Sequence, residues 1–201
     1  MRRMKLPTLF LFPLFVTTFV ACSPNQVSGT IQGASMKVHD AIFYTKQIAY
    51  SVNGAAKPAT GVAVVLSDKE NLCASIRAGQ VSRDETQIRF LLTAGKGVDG
   101  TSDRLNEGSY VPPPSNLTYG LSGNTVLLAA YVKSDDNCAA TTILVDNLPS
   151  VQVSSFQGGA GGSLVGSASL KFGLDSVDAE FTAAQCDHLE PANPPDPQSC
   201  K

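Results

Sequence analysis

From Ala168 to Ala183 apolar and polar side chains alternate one by one, and that period of two is the strongest constraint on how this chain folds. Ala168, Leu170 and Phe172 fall on one side, Ser169 and Lys171 on the other. After Gly173 to Ser176, the residues Val177, Ala179, Phe181 and Ala183 oppose Asp178, Glu180 and Thr182. Alternation flanked by Gly and Asp predicts a half-buried β-hairpin, because only an extended strand sends successive side chains to opposite faces. Thr86 to Leu92 repeats the pattern, with Ile88, Phe90 and Leu92 against Gln87 and Arg89. Further strands are expected at Thr30–Val38, Ala41–Val52, Gly61–Leu66, Thr125–Lys133, Thr141–Val145 and Ser150–Phe156. Val126 to Val132 is apolar on both faces, which predicts a central strand covered on each side.

One helix interrupts the strands. Ser67-Asp68-Lys69-Glu70 reads as a capping box, Leu72, Cys73 and Ile76 follow at helical spacing, and Gly79 is placed to end the helix. The spacing predicts a short helix at about 68–78 with Cys73 facing inward. The fold expected is therefore all-β, a single antiparallel β-sandwich or barrel-like domain with one short helix.

The N-terminal segment has the three zones of a secretory leader: a basic head (Arg2, Arg3, Lys5), the apolar run Leu9–Val20, and a small residue, Ala21, at the cut. Leu6 to Ala21 is too short for a spanning helix, which needs ~20 apolar residues, and Pro13 interrupts it. Phe19-Val20-Ala21-Cys22-Ser23 resembles the bacterial lipobox, with Phe19 in place of the usual leucine. The resemblance implies that Cys22 is acylated and becomes the mature N-terminus. Ser23, in place of Asp, implies sorting to the outer membrane. An ordinary secretory leader ahead of a chain beginning with Cys is the alternative. The organisation expected is a leader over 1–21, a tether over 22–27, a β-rich domain over 28–187 and a Pro-rich tail over 188–201.

Cysteine usage fits an exported chain. Apart from Cys22, the residues Cys73, Cys138, Cys186 and Cys200 make an even set, which predicts two disulfides. Zinc is the rival, but it favours closely spaced Cys or His pairs, and these four are far apart. The preferred pairing is Cys73–Cys138 with Cys186–Cys200, joining the helix to the loop after the central strand and tying the tail locally; Cys73–Cys186 is the alternative. Of 15 basic and 17 acidic residues, the leader removes three basic and no acidic ones, leaving 12 against 17, or −5. That balance argues against a nucleic-acid partner, which requires clustered Lys and Arg.

No catalytic signature stands out. His39 and His188 are the only histidines, and no G-x-S-x-G elbow is present. Asp99-Gly100-Thr101-Ser102-Asp103 with Glu107, and Asp135-Asp136-Asn137, offer oxygen ligands but miss the spacing of a calcium-binding EF-hand loop. No metal or other cofactor is expected. The glycines of Gln157–Gly162 lack the Lys-Ser/Thr ending of a phosphate loop, so this stretch reads as a flexible connection before the last hairpin. For a glycan, stacking requires exposed aromatic rings; Trp is absent, and Tyr110 and Tyr119, flanking Pro112-Pro113-Pro114, are the candidate ligand-binding residues.

Several segments together resemble uncharacterised β-rich lipoproteins of myxobacterial type: Ser28-Gly29-Thr30-Ile31 with Gly33, Val64-Val65-Leu66-Ser67 leading to Leu72-Cys73, Glu107-Gly108-Ser109-Tyr110, Val165-Gly166-Ser167, Val177-Asp178-Ala179-Glu180-Phe181 and Ala184-Gln185-Cys186. The resemblance implies a shared shape and no assigned activity. The reading is a lipid-anchored envelope protein, on the periplasmic face or at the cell surface. It acts as a non-catalytic binding or structural module, held to the membrane by its N-terminal lipid and partnered by another envelope protein or a glycan. The alternative is an exported hydrolase or small-ligand carrier.

Overall fold

A computed structural model describes residues 25–52, 55–97, 101–102, 104–113, 121–145, 147–187 and 200. Cys22, Tyr119, His188, the leader and the Pro-rich stretch of the tail lie outside them. The described residues form the strands β1 (Gln26–Gly29), β2 (Asp40–Val52), β3 (Ala55–Ser67), β4 (Thr86–Gly97), β5 (Thr101–Ser102), β6 (Gly108–Tyr110), β7 (Leu121–Ser134), β8 (Ala140–Leu144), β9 (Asn147–Gln157), β10 (Ser163–Phe172) and β11 (Asp175–Gln185), with one helix, α1 (Leu72–Arg77). All the strands belong to one sheet in the order β6-β9-β10-β11-β2-β3-β4-β7-β8, with β1 added to β11 and β5 to β4. Pairing is antiparallel throughout this path except between β11 and β2. The path is not closed, but it curls until Val111, just past β6, reaches β7: Val111 N donates to Asn124 O at 3.3 Å and Val126 N to Val111 O at 2.8 Å.

The fold is thus an all-β sandwich-like domain whose two halves face each other across one core. Phe43 of β2, Phe90 of β4 and Tyr131 of β7 meet Phe156, Phe181 and Phe172 of β9, β11 and β10, at ring separations of 5.6, 5.8 and 6.2 Å. The alternation read from the sequence points inward as expected: Ala168, Leu170 and Phe172 of β10, and Val177, Ala179, Phe181 and Ala183 of β11, are buried in that core, joined by Leu164. Burying a side chain of Leu or Phe size contributes roughly 1.5–3 kcal/mol, so these rows supply much of the driving force for folding.

Several expectations need correction. Thr30–Val38 is not a strand. Gln32 and Gly33 take positive φ, Ile31 and Ala34 close a tight turn, and Asp175 accepts hydrogen bonds from Thr30 Oγ1 (3.3 Å) and Gln32 N (2.6 Å), so the backbone bonds to itself and to a carboxylate. The tether is shorter than 22–27, since Gln26 and Val27 already pair with Glu180 and Ala179. Gly61–Leu66 is only the inner half of β3. The helix starts four residues late. Ser67 ends β3, and its hydroxyl donates to Glu85 Oε1 (2.7 Å) and accepts from Lys69 N (3.0 Å), not from the amide of Glu70. The N-terminal amide of the helix, on Leu72, instead donates to Asp40 Oδ2 at 2.8 Å, a cap supplied from β2. Gly79 does end the helix: at φ 63° it allows Gly79 N→Ile76 O and Gln80 N→Ser75 O, a Schellman motif.

The preferred disulfide pairing is contradicted. Two disulfides form, Cys73–Cys186 and Cys138–Cys200, with Cα separations of 5.6 and 5.8 Å. The cause is the parallel junction between β11 and β2. It brings the chain after β11 beneath α1, where Cys186 N donates to Phe43 O at 2.8 Å and Leu72, Ile42, Val65 and Cys186 make a second small core. Cys200 lies beside the segment after the helix, where it bridges Val81 and reaches Cys138 in the β7–β8 turn. Pairing by proximity in the sequence misses both contacts. Non-reducing peptide mapping is expected to recover Cys73–Cys186 and Cys138–Cys200, and Cys73→Ser with Cys186→Ser to lower the unfolding free energy by about 2–5 kcal/mol. A Cys73–Cys138 peptide would contradict this assignment.

Candidate functional site

Where β11 and β2 part, the sheet opens. They share only the pairs Ala184–Ile42 and Gln185–Phe43; β11 then ends while β2 runs on. The wedge between them is a cleft of about 580 Å³ lined by Phe43 and Thr45 of β2, Phe156 and Gln157 of β9, Gly158, Gly159, Gln185 and Arg104. Its floor is the tilted Phe43–Phe156 pair, with Phe43 buried and Phe156 half-buried. Arg104 brings a guanidinium to the lining.

The far wall is the connection between β9 and β10. Expected to be flexible, it is tied down at both ends. Gly159 N donates to Gln185 Oε1 at 2.7 Å, Gly162 N to Gly159 O at 2.7 Å, and Gln185 N to Gly162 O at 2.9 Å. Glycine is required here. Gly159 has φ 103°, and a Cβ on Gly162 would lie 2.2 Å from Gln157 O. Gln185 Nε2 also donates to Asp187 Oδ1 (2.6 Å), and the Asp187 carbonyl accepts two hydrogen bonds from Arg77 at 2.9 and 2.7 Å, so the helix end helps to hold the wall.

The sequence candidates that the structure describes lie elsewhere; Tyr119, Asp99 and Asp103 lie outside the described residues. Tyr110 does not bind a ligand at the surface: it is 0 % exposed, and its hydroxyl accepts from Asn106 N and donates to Asn106 O, both at 2.9 Å. Burial pushes the phenol up to about 12, opposed by the hydrogen bond to Asn106. Asp135 closes a turn, accepting from Asn137 N (2.9 Å) and Ala139 N (2.8 Å). Among the described residues no group of three or more His, Cys, Asp and Glu side chains could hold a metal. His39 is exposed and donates its backbone N–H to Ser67 O.

A buried polar network lies on the outer face and left no signal in the sequence. Glu85, 6 % exposed, accepts at Oε1 from Ser67 Oγ (2.7 Å) and Gln87 Nε2 (2.5 Å); Arg89 Nε donates to Gln87 Oε1 (2.6 Å). Ser134 completes it, accepting from Glu85 N (2.8 Å) and donating to Ser82 O (2.6 Å). Desolvation lowers Arg89 from its ordinary value against the opposing charges of Tyr44 and Glu85, and it remains a cation because its reference lies so high. Desolvation likewise raises Tyr44, against the pull of Arg89. Ser67 bonds to the Glu85 carboxylate but is fully buried, so it lacks the access a nucleophile needs. The network joins the ends of β3, β4 and β7 and is structural.

No protein-family profile matches the chain, and neither a curated protein nor a solved structure shows significant similarity to it.

A raised Tyr110 means that the unfolded chain ionises first as pH climbs past 10. Stability conferred by the neutral phenol is therefore complete below pH 10 and falls by roughly 2–3 kcal/mol as pH approaches 12. Urea unfolding at pH 9 and pH 11.5 is expected to show a smaller loss for Tyr110→Phe than for the parent. Equal losses would place the hydroxyl in solvent.

Proposed function

We propose that the protein is a lipid-anchored module of the bacterial cell envelope, held at the outer membrane through Cys22, which binds a partner and does not transform it. The reading of the anchor rests on the leader and on Phe19-Val20-Ala21-Cys22-Ser23, which resembles a lipobox. Two disulfides support an oxidising compartment outside the cytoplasm. The observation that carries the binding reading is the cleft at the β2–β11 divergence. An aromatic floor and one arginine suit a ligand with an apolar ring or chain and an anionic group. Such a set can orient a molecule, but it supplies no nucleophile with an adjacent base. The partner is an envelope protein or a glycan fragment of that chemistry. The same cleft also favours the small-ligand carrier as a second reading.

Acylation makes membrane association nearly permanent, since each buried methylene contributes ~0.8 kcal/mol. The intact mass of the mature protein is expected to exceed that of residues 22–201 by a triacyl adduct, and Cys22→Ser to move the protein from the membrane to the soluble fraction. A mature mass without an adduct would overturn the anchor. Separately, Phe156→Ala and Arg104→Ala are each expected to weaken capture of envelope extract components at least about tenfold, a loss near 1.4 kcal/mol. Unchanged capture by both would remove the cleft from the binding reading.

A further inference from the structure

β2 and β3 leave the body of the domain together. β2 has no described partner on its β11 side after Phe43, and β3 pairs with β4 only from Val62 onward. Beyond that point β5 takes the place of β3 beside β4, at Ala94 and Gly95. Residues 46–61 therefore form a two-stranded arm, paired only to itself among the described strands. At about 3.3 Å per residue, its seven pairs, from Lys46–Gly61 to Val52–Ala55, reach roughly 23 Å.

The register sorts its side chains. One face carries Lys46, Ile48 and Tyr50 of β2 with Lys57 and Ala59 opposite them, and the other carries Gln47, Ala49 and Ser51 with Ala56, Pro58 and Thr60; Tyr44, just before the arm, packs instead on the second small core. The first face joins a tyrosine and an isoleucine to two exposed lysines. No acidic residue occurs between Asp40 and Asp68, so the arm is positive in a chain with more acidic than basic residues. Two copies of the arm would repel, and Pro58 and the lysines discourage strand addition along its edges. Charge and composition instead match an anionic lipid surface: tyrosines favour the headgroup layer, and lysines reach phosphates while their stems cover apolar area.

Topology points the arm the right way. β1 runs antiparallel to β11, with Asn25 Oδ1 accepting from Thr182 N at 2.8 Å, while β2 runs parallel to β11. The chain therefore enters the domain from the end at which the arm leaves it, and Asn25 is three residues from Cys22. We infer that the Lys46–Ile48–Tyr50 face of the arm lies on the anionic phospholipid headgroups of the membrane that holds the protein, orienting the cleft at its base. The inference rests on the lipid-anchor reading for delivery to that surface, but the contact itself does not require the acyl chains. Two lysines at an anionic surface favour it by about thirty-fold over a neutral one.

The test is flotation of the native protein with vesicles of phosphatidylcholine, with or without phosphatidylglycerol, together with amide exchange of residues 45–51 on those vesicles. If both readings hold, the protein floats with both kinds. The arm amides exchange at least about tenfold more slowly on the anionic ones, and Lys46→Glu with Lys57→Glu abolishes that slowing without stopping flotation. Flotation with both and equal exchange overturns the arm alone. Flotation with anionic vesicles only overturns the anchor and leaves the arm. Flotation with neither overturns both.

Discussion

Two residue pairs hold this molecule in its shape. Ala184 opposite Ile42 and Gln185 opposite Phe43 are the only parallel ladder among the named strands, and they join the C-terminal hairpin to the rest of the sheet. Parallel strands cannot be joined by a tight turn, so this contact must form between segments over a hundred residues apart. It is held from outside by the Cys73–Cys186 disulfide and by Arg77, which grips the Asp187 carbonyl just past it. From inside it is held by Phe43, packed on Phe156. Without that junction, among the described strands only the bridge from Val111 to β7 would join the two halves of the sheet.

The cleft and the arm share this cause. Because the junction is two pairs long, β2 outlasts it, and the sheet cannot stay continuous beyond Phe43. The gap on one side becomes a cleft floored by the phenylalanines that lie at the edge of the core. The surplus length of β2, paired with β3, becomes the arm. An isolated two-stranded ribbon is marginal in water, and a surface contact that stabilises it carries a functional consequence. A lipid-held domain with an arm against the headgroups would present its cleft at a fixed height and angle, whereas a flexible tether alone would not.

Local rules found much of the fold. The β10 and β11 hairpin was legible because Ala168–Phe172 and Val177–Ala183 alternate cleanly, and each inner residue reaches the core. Gly79 as the helix stop was legible because only a left-handed residue completes that cap. The outer half of β3 was not, since Ala55-Ala56-Lys57-Pro58 has no apolar alternation when neither face is packed. The helix start failed for a different reason. Ser67 has the right spacing for a capping box, yet its hydroxyl is taken by Glu85, eighteen residues away, and Asp40 caps the helix in its place. The disulfides, the cleft and the role of Tyr110 all follow from non-local pairing, which no window of sequence contains. Tyr110 read as a loop aromatic because Pro112-Pro113-Pro114 follows it. The core claims it instead, and its hydroxyl turns back to Asn106.

Native-state hydrogen exchange at the Cys186 amide tests the junction most directly, because that N–H donates to Phe43 O across the joint. With the disulfide intact it is expected to exchange only through global unfolding, as slowly as the amides of Phe90 and Phe181 in the core. Exchange as fast as that of the solvent-facing amides of the arm would mean that the joint opens on its own, and the shared origin of cleft and arm would be lost.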